Sequence, residues 1–378
     1  MRVVALIVRA GAVVAASAFV FSLLVDGGPR PATAGGPDLG IVEKPAPKPK
    51  PQAPRRPAST VPPGVVAIVA TGDIVMGSTP NLPSDGGSAF FSDVKTDLAG
   101  DVVLGNLEGT LSSGGRSKCG SGSTNCFAFQ TPPSYARWLK QAGFTVMNLA
   151  NNHAYDFGPD GLRQTTDALS GVGLEWTGRP GQITVQKAGP IRVAIVGFAP
   201  YPWAQSLTDI AAAKRLVRKA AASADVVVVT MHAGAEGSDR QHVGRGNEVF
   251  LGENRGNPMR FAHAVVDAGA DLVVGHGPHV LRGMEGYKNR LIAYSVGNFA
   301  GYKVFALGGP LSTSGILRVT LRGDGRFEIG RLVPTHLAGA GLPAIDPSEA
   351  AHGVVRELSG EDFGPRAVKI SPDGILSR

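Results

Sequence analysis

The stretch Asn-Leu-Ala-Asn-Asn-His-Ala-Tyr-Asp-Phe-Gly, residues 148–158, places two adjacent amides, a histidine and an aspartate in one short segment. It follows an apolar run at 144–147, which we interpret as a buried strand, and it precedes a helical pattern at 158–171. Polar turns between a strand and a helix lie at the carboxyl ends of strands, where α/β proteins bind ligands. Asn151 and Asn152 also suit an ordinary turn, so this stretch alone leaves both interpretations open.

The surrounding sequence alternates short apolar runs with helical patterns. Strands are predicted at 65–71, 102–104, 144–149, 192–198, 225–231 and 271–274, followed by closing strands at 291–295, 315–321 and 327–333. Helices are predicted at 88–96, 133–142, 158–171, 209–222 and 259–268. The run at 225–231 is almost all valine, which is typical of a strand covered on both faces. The alternation predicts an α/β domain with a partly parallel core, arranged as two facing sheets, and an irregular tail from Pro334.

Metal-ligand side chains stand at the predicted ends of five strands. These residues are Asp73, Glu108, Asn152 with His153, His232, and His276 with His279. A mixture of oxygen and imidazole ligands suits Zn²⁺, Mn²⁺ or Fe better than Ca²⁺. Because one carboxylate can bridge two ions, Glu108 allows either one or two divalent transition-metal ions.

Each of these residues also has a structural interpretation when it is taken singly. Asp73 follows Gly72 and could be a turn aspartate, and Glu108 could be exposed to solvent. His232 is harder to explain in this way, because a polar group after an all-valine strand needs a buried partner. The recurrence of ligand types at five strand ends therefore predicts a metal site.

The N-terminal segment differs in composition from the rest of the chain. Residues 1–26 combine Arg2 and Arg9 with an uncharged apolar run at 10–25, which predicts a signal peptide or an uncleaved signal anchor in a membrane. Residues 27–63 are rich in proline and predict an extended linker. We therefore expect a main domain at 64–340 and a C-terminal extension packed on it at 341–378. The chain is expected in the cell membrane, held by a single N-terminal anchor with the domain outside, or secreted if the signal is cleaved.

Charge and cysteine content narrow the function further. Residues 1–60 carry eight basic and three acidic residues, so most of the net charge of +7 lies in the leader. The positive charge therefore gives no reason to expect nucleic-acid binding by the domain. Cys119 and Cys126 are the only cysteines, and in an exported chain this pair predicts one disulfide.

A glycine-rich excursion at 234–257 interrupts the pattern after the valine strand. It is long enough to form a lid or a substrate loop. Arg255, which shares this excursion with Glu236 and Glu253, could hold a carboxylate or a phosphate, but we interpret it as a solvated loop charge. His242, His263, His336 and His352 are interpreted as background.

Six motifs in this order resemble the CapA family of capsule and poly-γ-glutamate synthesis proteins, which is similar to the calcineurin-like metallophosphoesterases. The motifs are Thr71-Gly72-Asp73-Ile74, Gly105-Asn106-Leu107-Glu108-Gly109, Ala150-Asn151-Asn152-His153 with Asp156 and Gly158, His232, Gly275-His276-Gly277-Pro278-His279-Val280, and Tyr294-Ser295-Val296-Gly297-Asn298-Phe299.

The resemblance implies a four-layer αββα sandwich in a membrane-anchored protein that faces the cell surface. It implies that one ion is held by Asp73, Glu108 and His279, and another by Glu108, Asn152, His232 and His276. His153 would face the substrate as an acid or a charge stabiliser, beside Asp73 in the catalytic set. Phosphoesterases of this type carry Asp-x-His where this chain has Asp73-Ile74-Val75, so occupancy by a single ion is compatible with the pattern.

The resulting hypothesis is a metal-dependent hydrolase that acts through metal-bound hydroxide on a phosphoester or γ-glutamyl amide, in capsule or poly-γ-glutamate synthesis or handling. Its expected partners are an anionic cell-envelope polymer or the complex that makes that polymer. The alternative is a non-enzymatic anchored subunit of a synthesis and export complex that binds the polymer.

Overall fold

The computed structural model describes residues 64–120 and 126–377. The predicted signal or anchor segment at 1–26 and the linker at 27–63 lie outside these ranges. Within them, no helix has the length and apolar character needed to cross a membrane.

The described ranges contain strands and helices in alternation through most of the chain. The strands are β1 (Val65–Val75), β2 (Val102–Leu107), β3 (Thr110–Leu111), β4 (Gln130–Thr131), β5 (Val146–Asn148), β6 (Glu175–Thr177), β7 (Thr184–Ala188), β8 (Ile191–Phe198), β9 (Val226–His232), β10 (Val249–Phe250), β11 (Glu253–Asn254), β12 (Leu272–His276), β13 (Met284–Tyr287), β14 (Arg290–Ala293), β15 (Asn298–Gly301), β16 (Thr313–Arg322), β17 (Phe327–Ala338), β18 (Leu342–Ile345), β19 (Lys369–Ile370) and β20 (Ile375–Ser377). The α-helices are α1 (Ala136–Ala142), α2 (Gly158–Gly171), α3 (Ile210–Ser223), α4 (Pro258–Ala268) and α5 (Ala350–Phe363).

Two mixed sheets form the framework. The larger sheet has the order β19-β20-β17-β16-β1-β2-β5-β6, with β15 also paired to β1 and β18 to β17. The smaller sheet has the order β13-β14-β12-β9-β8-β7. Strands β1, β2, β5 and β6 are parallel to one another, as are β8, β9, β12 and β14, while the outer strands are antiparallel. The predicted α/β class with a partly parallel core is confirmed.

Three large clusters of the apolar core define the layers, and a small fourth one lies around Ala150 and Ala199. One cluster joins the two sheets, for example through Ile68 and Leu104 of the larger sheet and Ile195 and Val228 of the smaller. A second cluster packs α1 and α2 on the outer face of the larger sheet, and a third packs α3 and α4 on the outer face of the smaller. Successive side chains of a strand point to opposite faces, and both faces of each central strand are covered. This explains the valine-rich runs.

Two sequence predictions of secondary structure are wrong. Residues 88–96 do not form an α-helix, because their backbone bonds span three residues, as from the Phe90 N–H to the Gly87 carbonyl, and a 3-10 helix follows at Lys95–Leu98. The Asp85 carboxylate accepts the Ala89 N–H and favours these tight turns. The tail from Pro334 is also regular, since β17 continues to Ala338 and the chain then adds β18, α5, β19 and β20.

Close approach between two strands shapes the edge that carries the candidate site. Strand β1 runs past the predicted end at Thr71 to Val75, so Asp73 lies within it, at a register shift with β2 and β15. A Cβ at Gly72 would lie 1.8 Å from the Gly297 carbonyl oxygen, so only glycine fits there. This contact brings β15 and its Asn298 beside Asp73.

Candidate metal centre

Three predicted ligands converge at the carboxyl ends of the parallel strands. Asp73, Glu108 and His279 are buried, and each offers a ligand atom within 4.8 Å of those of the other two. His232 joins them from the facing sheet, with its Nε2 3.8 Å from Glu108 Oε1. His279 Nε2 lies 3.6 Å from the same Glu108 oxygen. The structure therefore brings residues from both sheets around the Glu108 carboxylate.

Several polar atoms at this place have no hydrogen-bond partner in the described part of the protein. They are Glu108 Oε1 and Oε2, His232 Nε2 and Asn152 Oδ1. Unpartnered buried polar atoms cost free energy, and proteins rarely keep them without a reason. Carboxylate, imidazole and amide oxygen are also the ligand types of Zn²⁺, Mn²⁺ and Fe. The donor set thus fits a divalent metal ion.

A ladder of side-chain amides fixes Asp73. Asn106 Nδ2 donates to Asp73 Oδ1 at 2.7 Å, and Asn106 Oδ1 accepts from Asn148 Nδ2 at 2.8 Å and from Asn151 Nδ2 at 3.1 Å. Asn151 also donates to the Leu107 carbonyl. The two adjacent amides of residues 148–158 therefore differ in role. Asn151 orders the site, and Asn152 has a side-chain oxygen with no partner among the described residues.

His279 has an unusual backbone conformation and a tightly held ring. Its φ is +62°, a left-handed value that is uncommon for a residue with a side chain. Its Nδ1 lies 3.0 Å from Asp73 Oδ2 and 2.9 Å from Asn298 Oδ1. These contacts leave Nε2 directed to Glu108. Such support of one ring nitrogen is typical of metal-binding histidines.

The charges of this group depend strongly on one another. Burial favours the neutral form of each group, but the pKa of His279 is raised to about 10 by Glu108, Asp73 and Glu236. The pKa of Asp73 is held below its usual value, because contacts with His279 outweigh burial. Burial and the nearby Asp73 raise the pKa of Glu108 well above its usual value, and burial lowers that of His232. A proton on His279 thus supplies positive charge that a metal ion would replace.

His276 lies next to the centre, but both of its ring nitrogens contact protein atoms. Its Nε2 is 2.9 Å from the Thr71 carbonyl oxygen, and its Nδ1 is 3.1 Å from Thr230 Oγ1. Its assignment as a ligand stays a prediction that requires one of these contacts to be replaced.

His153 lies in a separate chain of ionic contacts. Its Nδ1 is 2.8 Å from Asp156 Oδ2, while Asp156 Oδ1 is 2.6 Å from Lys118 Nζ. Phe129 packs against the His153 ring with centroids 4.5 Å apart. Burial lowers the pKa of His153 against the opposing effect of Asp156. A neutral ring that donates Nδ1–H to Asp156 presents Nε2 as a proton acceptor.

The predicted disulfide between Cys119 and Cys126 is confirmed, with Cα atoms 5.6 Å apart. Lys118 directly precedes it, and Lys118 Nζ also donates to the Asn152 carbonyl at 3.1 Å. The cysteine loop therefore begins beside the His153 stretch.

Glu236 and Arg255 of the excursion at 234–257 lie beside the candidate metal centre, which their positions in a polar loop did not predict. Glu236 Oε2 lies 3.6 Å from His279 Nε2, and Glu236 Oε1 lies 2.6 Å from Arg255 Nη2. Arg255 is only 4% exposed, so the interpretation as a solvated loop charge is wrong. Their spacing from His232 was visible in the sequence, but a loop of this length does not specify where its side chains point.

Comparison with known proteins gives relatives in capsule synthesis. The chain is 29% identical over 297 residues to the PGA biosynthesis protein CapA of Bacillus subtilis (strain 168), covering 70% of each chain. It is 34% identical over 183 residues to the capsule biosynthesis protein CapA of Bacillus anthracis, covering 43% of this chain and 41% of that protein.

Among solved structures, a 5'-nucleotidase precursor from Thermus thermophilus aligns with a TM-score of 0.40 and 14% identity, covering 79% of this chain and 59% of that one. The family model described as bacterial capsule synthesis protein PGA_cap matches residues 67–303, which include every predicted metal ligand. The chain therefore belongs to the PGA_cap family of bacterial capsule synthesis proteins, the CapA family of the sequence resemblance.

Proposed function

We propose that this protein is a metal-dependent hydrolase of the cell envelope that acts in capsule or poly-γ-glutamate synthesis or handling. The observation that carries the proposal is the Glu108 carboxylate, which is buried near His232 and His279 with neither oxygen hydrogen-bonded to any residue that the structure describes. Family membership and the names of the Bacillus relatives support the polymer context.

Ligand assignment follows the convergence of the side chains. Asp73, Glu108 and His279 would hold one ion, and Glu108 would share a second ion with Asn152 and His232, with His276 added if it gives up a present contact. A bound divalent ion supplies Lewis acidity and an activated water molecule. The ion is Mn, Zn or Fe in this proposal, in one or two copies.

His153 supplies proton transfer beside that centre. Asp156 fixes the ring through Nδ1, so Nε2 can take a proton and, once charged, give it to the leaving group or stabilise developing negative charge. Lys118 Nζ pairs with the second oxygen of Asp156 at 2.6 Å. His153 is largely buried, which limits the access of bulk water to its ring.

The test compares hydrolysis by the full chain loaded with Mn²⁺. Substrates are an aryl phosphate monoester, an aryl phosphate diester and a γ-linked glutamate oligomer. We expect turnover of one class, and His153→Gln should reduce kcat by about a hundredfold or more while metal content is unchanged. The matched control is His242→Gln, because His242 also pairs with an aspartate, Asp362, but lies exposed on the surface.

Turnover that resists chelation, or that survives in His153→Gln, contradicts the proposal. Full metal loading with no turnover of any of the three substrates also contradicts it, and favours a subunit that binds the anionic polymer without cleaving it.

The proposed location is outside the membrane, with residues 1–26 as an anchor or as a cleaved signal. Cell fractionation and N-terminal sequencing of the mature chain test it. Export with residue 1 retained in the membrane fraction supports the anchor, loss of the segment supports secretion, and a protein confined to the cytoplasm contradicts both.

A further inference from the structure

Glu236 is the one acidic side chain of the excursion that reaches the candidate metal centre among the described residues. It follows β9 by four residues, and its carboxylate lies beside the His279 ring. Its Oε2 lies 3.6 Å from His279 Nε2, and its Oε1 lies 3.4 Å from Asn152 Nδ2. Glu236 therefore lies near two of the predicted ligands, and it approaches the same His279 nitrogen as Glu108.

These separations are those of atoms that share an ion. Ligand atoms about 2.0–2.2 Å from a common metal lie roughly 3–4 Å from each other. The Glu236–His279, Glu108–His279 and Glu108–His232 distances are 3.6, 3.6 and 3.8 Å. They are too long for hydrogen bonds, yet His232 Nε2 and both Glu108 oxygens have no other partner in the described protein.

A buried arginine, Arg282, fixes the excursion that carries Glu236. Arg282 is fully buried, and its Nη1 and Nη2 hold the two oxygens of Glu248 at 2.9 and 2.7 Å. The Arg282 Nε also donates to the Arg240 carbonyl at 2.8 Å. Because Arg282 and His279 belong to the same loop, the excursion and the metal-binding loop are held in a fixed relation. The position of Glu236 over the centre follows from this buried contact.

Arg255 provides the charge that balances Glu236. Its Nη2 is 2.6 Å from Glu236 Oε1, and its guanidinium lies over the Tyr201 and Phe250 rings at 5.6 and 5.5 Å. Glu253 Oε2, which is half-exposed, lies 3.1 Å from Arg255 Nε. The arginine thus has one carboxylate partner at the centre and another at the surface.

We propose that Glu236 is a further metal ligand of this centre, supplied by the excursion, and that Arg255 holds it by ion pairing through Oε1 while Oε2 faces the ion. This ligand replaces the histidine that the Asp-x-His pattern would provide, where this chain has Val75. The proposal rests on the metal centre of the proposed function, and it adds a residue that the family motifs did not indicate.

The test measures metal binding directly in the full chain. Isothermal titration with Mn²⁺ gives affinity and stoichiometry, and the visible absorption of bound Co²⁺ reports the coordination of the ion. We expect Glu236→Gln to weaken Mn²⁺ binding by about tenfold or more and to change the Co²⁺ spectrum. The matched control is Glu253→Gln, which removes the same charge from the same excursion and the same arginine. It should leave both readouts unchanged.

Each other outcome contradicts a different statement. A wild-type chain that binds no Mn²⁺ or Co²⁺ overturns the proposed metal centre itself. If the wild type binds metal and Glu236→Gln gives the same Co²⁺ spectrum, only the role of Glu236 is overturned. This holds even if the variant binds Mn²⁺ more weakly because a charge has been removed. An equal effect of Glu236→Gln and Glu253→Gln assigns the effect to charge alone, and it also overturns ligation.

Discussion

Two buried glutamates of this protein have opposite surroundings. Glu285 in β13 contacts His263 Nε2 at 2.8 Å, the Tyr294 hydroxyl at 2.7 Å and Arg366 Nε at 2.6 Å. Glu108 is equally buried, but it has no hydrogen-bond partner within the described protein, and the nearest histidine nitrogens are those of His279 at 3.6 Å and His232 at 3.8 Å. One carboxylate is neutralised by side chains at contact distance, and the other is not.

The difference appears in the pKa values. Burial alone would raise the pKa of Glu285, but bonds from His263 and Tyr294 hold it below its usual value. Burial and Asp73 raise the pKa of Glu108 well above its usual value. Because a buried charge needs a partner, the Glu285 group is a structural ion cluster, while the positive charge beside Glu108 is a proton on His279 that a metal ion would replace.

The largest expected effect comes from the satisfied cluster. Glu285→Gln removes one partner of a buried ion group, so we expect the free energy of unfolding to fall by about 3–5 kcal/mol, measured by urea denaturation. Metal content should not change. Glu357→Gln, on an exposed face of α5, is the control and should stay within about 0.5 kcal/mol of wild type. A loss below about 1 kcal/mol for Glu285→Gln would remove the basis of the comparison.

Asp271 is an intermediate case that gives a pH dependence. It accepts the Val227 N–H at 2.9 Å and pairs with Arg290 at 3.0 Å, yet burial raises its pKa to about 7. The folded chain then holds a proton that the unfolded chain has lost, so this residue makes stability fall as pH rises from about 4 to about 7.

The fall amounts to at most about 4 kcal/mol, at about 1.4 kcal/mol for each unit of pKa shift. Asp271→Asn should flatten the dependence of the unfolding free energy over that range. An unchanged slope in the variant would show that Arg290 compensates Asp271 as fully as Arg366 compensates Glu285.

Glu108→Gln tests the carboxylate without hydrogen-bond partners, and its expected effect on the free energy of unfolding is opposite to that of Glu285→Gln. In the metal-free chain near pH 8, removal of an uncompensated buried carboxyl should raise the free energy of unfolding by about 1–3 kcal/mol. Urea denaturation in the presence of a chelator measures it. A destabilisation like that of Glu285→Gln would mean that His279 already neutralises Glu108, and it would contradict the account.

The smallest effect concerns His153, whose neighbour Asp156 opposes the influence of burial on its pKa. Asp156→Asn should shift the pKa of His153 further down, as measured by NMR titration of the ring. The ring signals of the exposed His242 serve as the internal control for the NMR measurement. An unchanged His153 value would contradict the proposed orienting role of Asp156.

Much of this arrangement could be predicted because strand ends are local features of the sequence. Apolar runs located Glu108, His232 and His279 near the ends of central strands, and parallel pairing brings such ends to one edge. The helix predicted at 88–96 was wrong because the spacing of the apolar residues Phe90, Phe91 and Val94 is compatible both with an α-helix and with successive tight turns. The Asp85 carboxylate accepts the Ala89 N–H and favours the turns.

What could not be predicted depends on contacts between distant segments. The position of Glu236 follows from Arg282 and Glu248, which are 34 residues apart in the chain. The contact of His276 with the Thr71 carbonyl likewise depends on how the two sheets face each other, whereas Thr230 lies on the neighbouring strand of the same sheet. Glu285 and His263 were not recognised as a cluster, since neither stands in a motif.

The most direct test of the central claim is the metal content of the full-length protein purified without added metal, beside Glu108→Gln and Glu285→Gln, measured by elemental analysis. We predict one or two equivalents of Mn, Zn or Fe in the wild type and in Glu285→Gln, and loss of the metal in Glu108→Gln. A wild-type protein that holds no divalent metal and takes up none on titration would contradict the account.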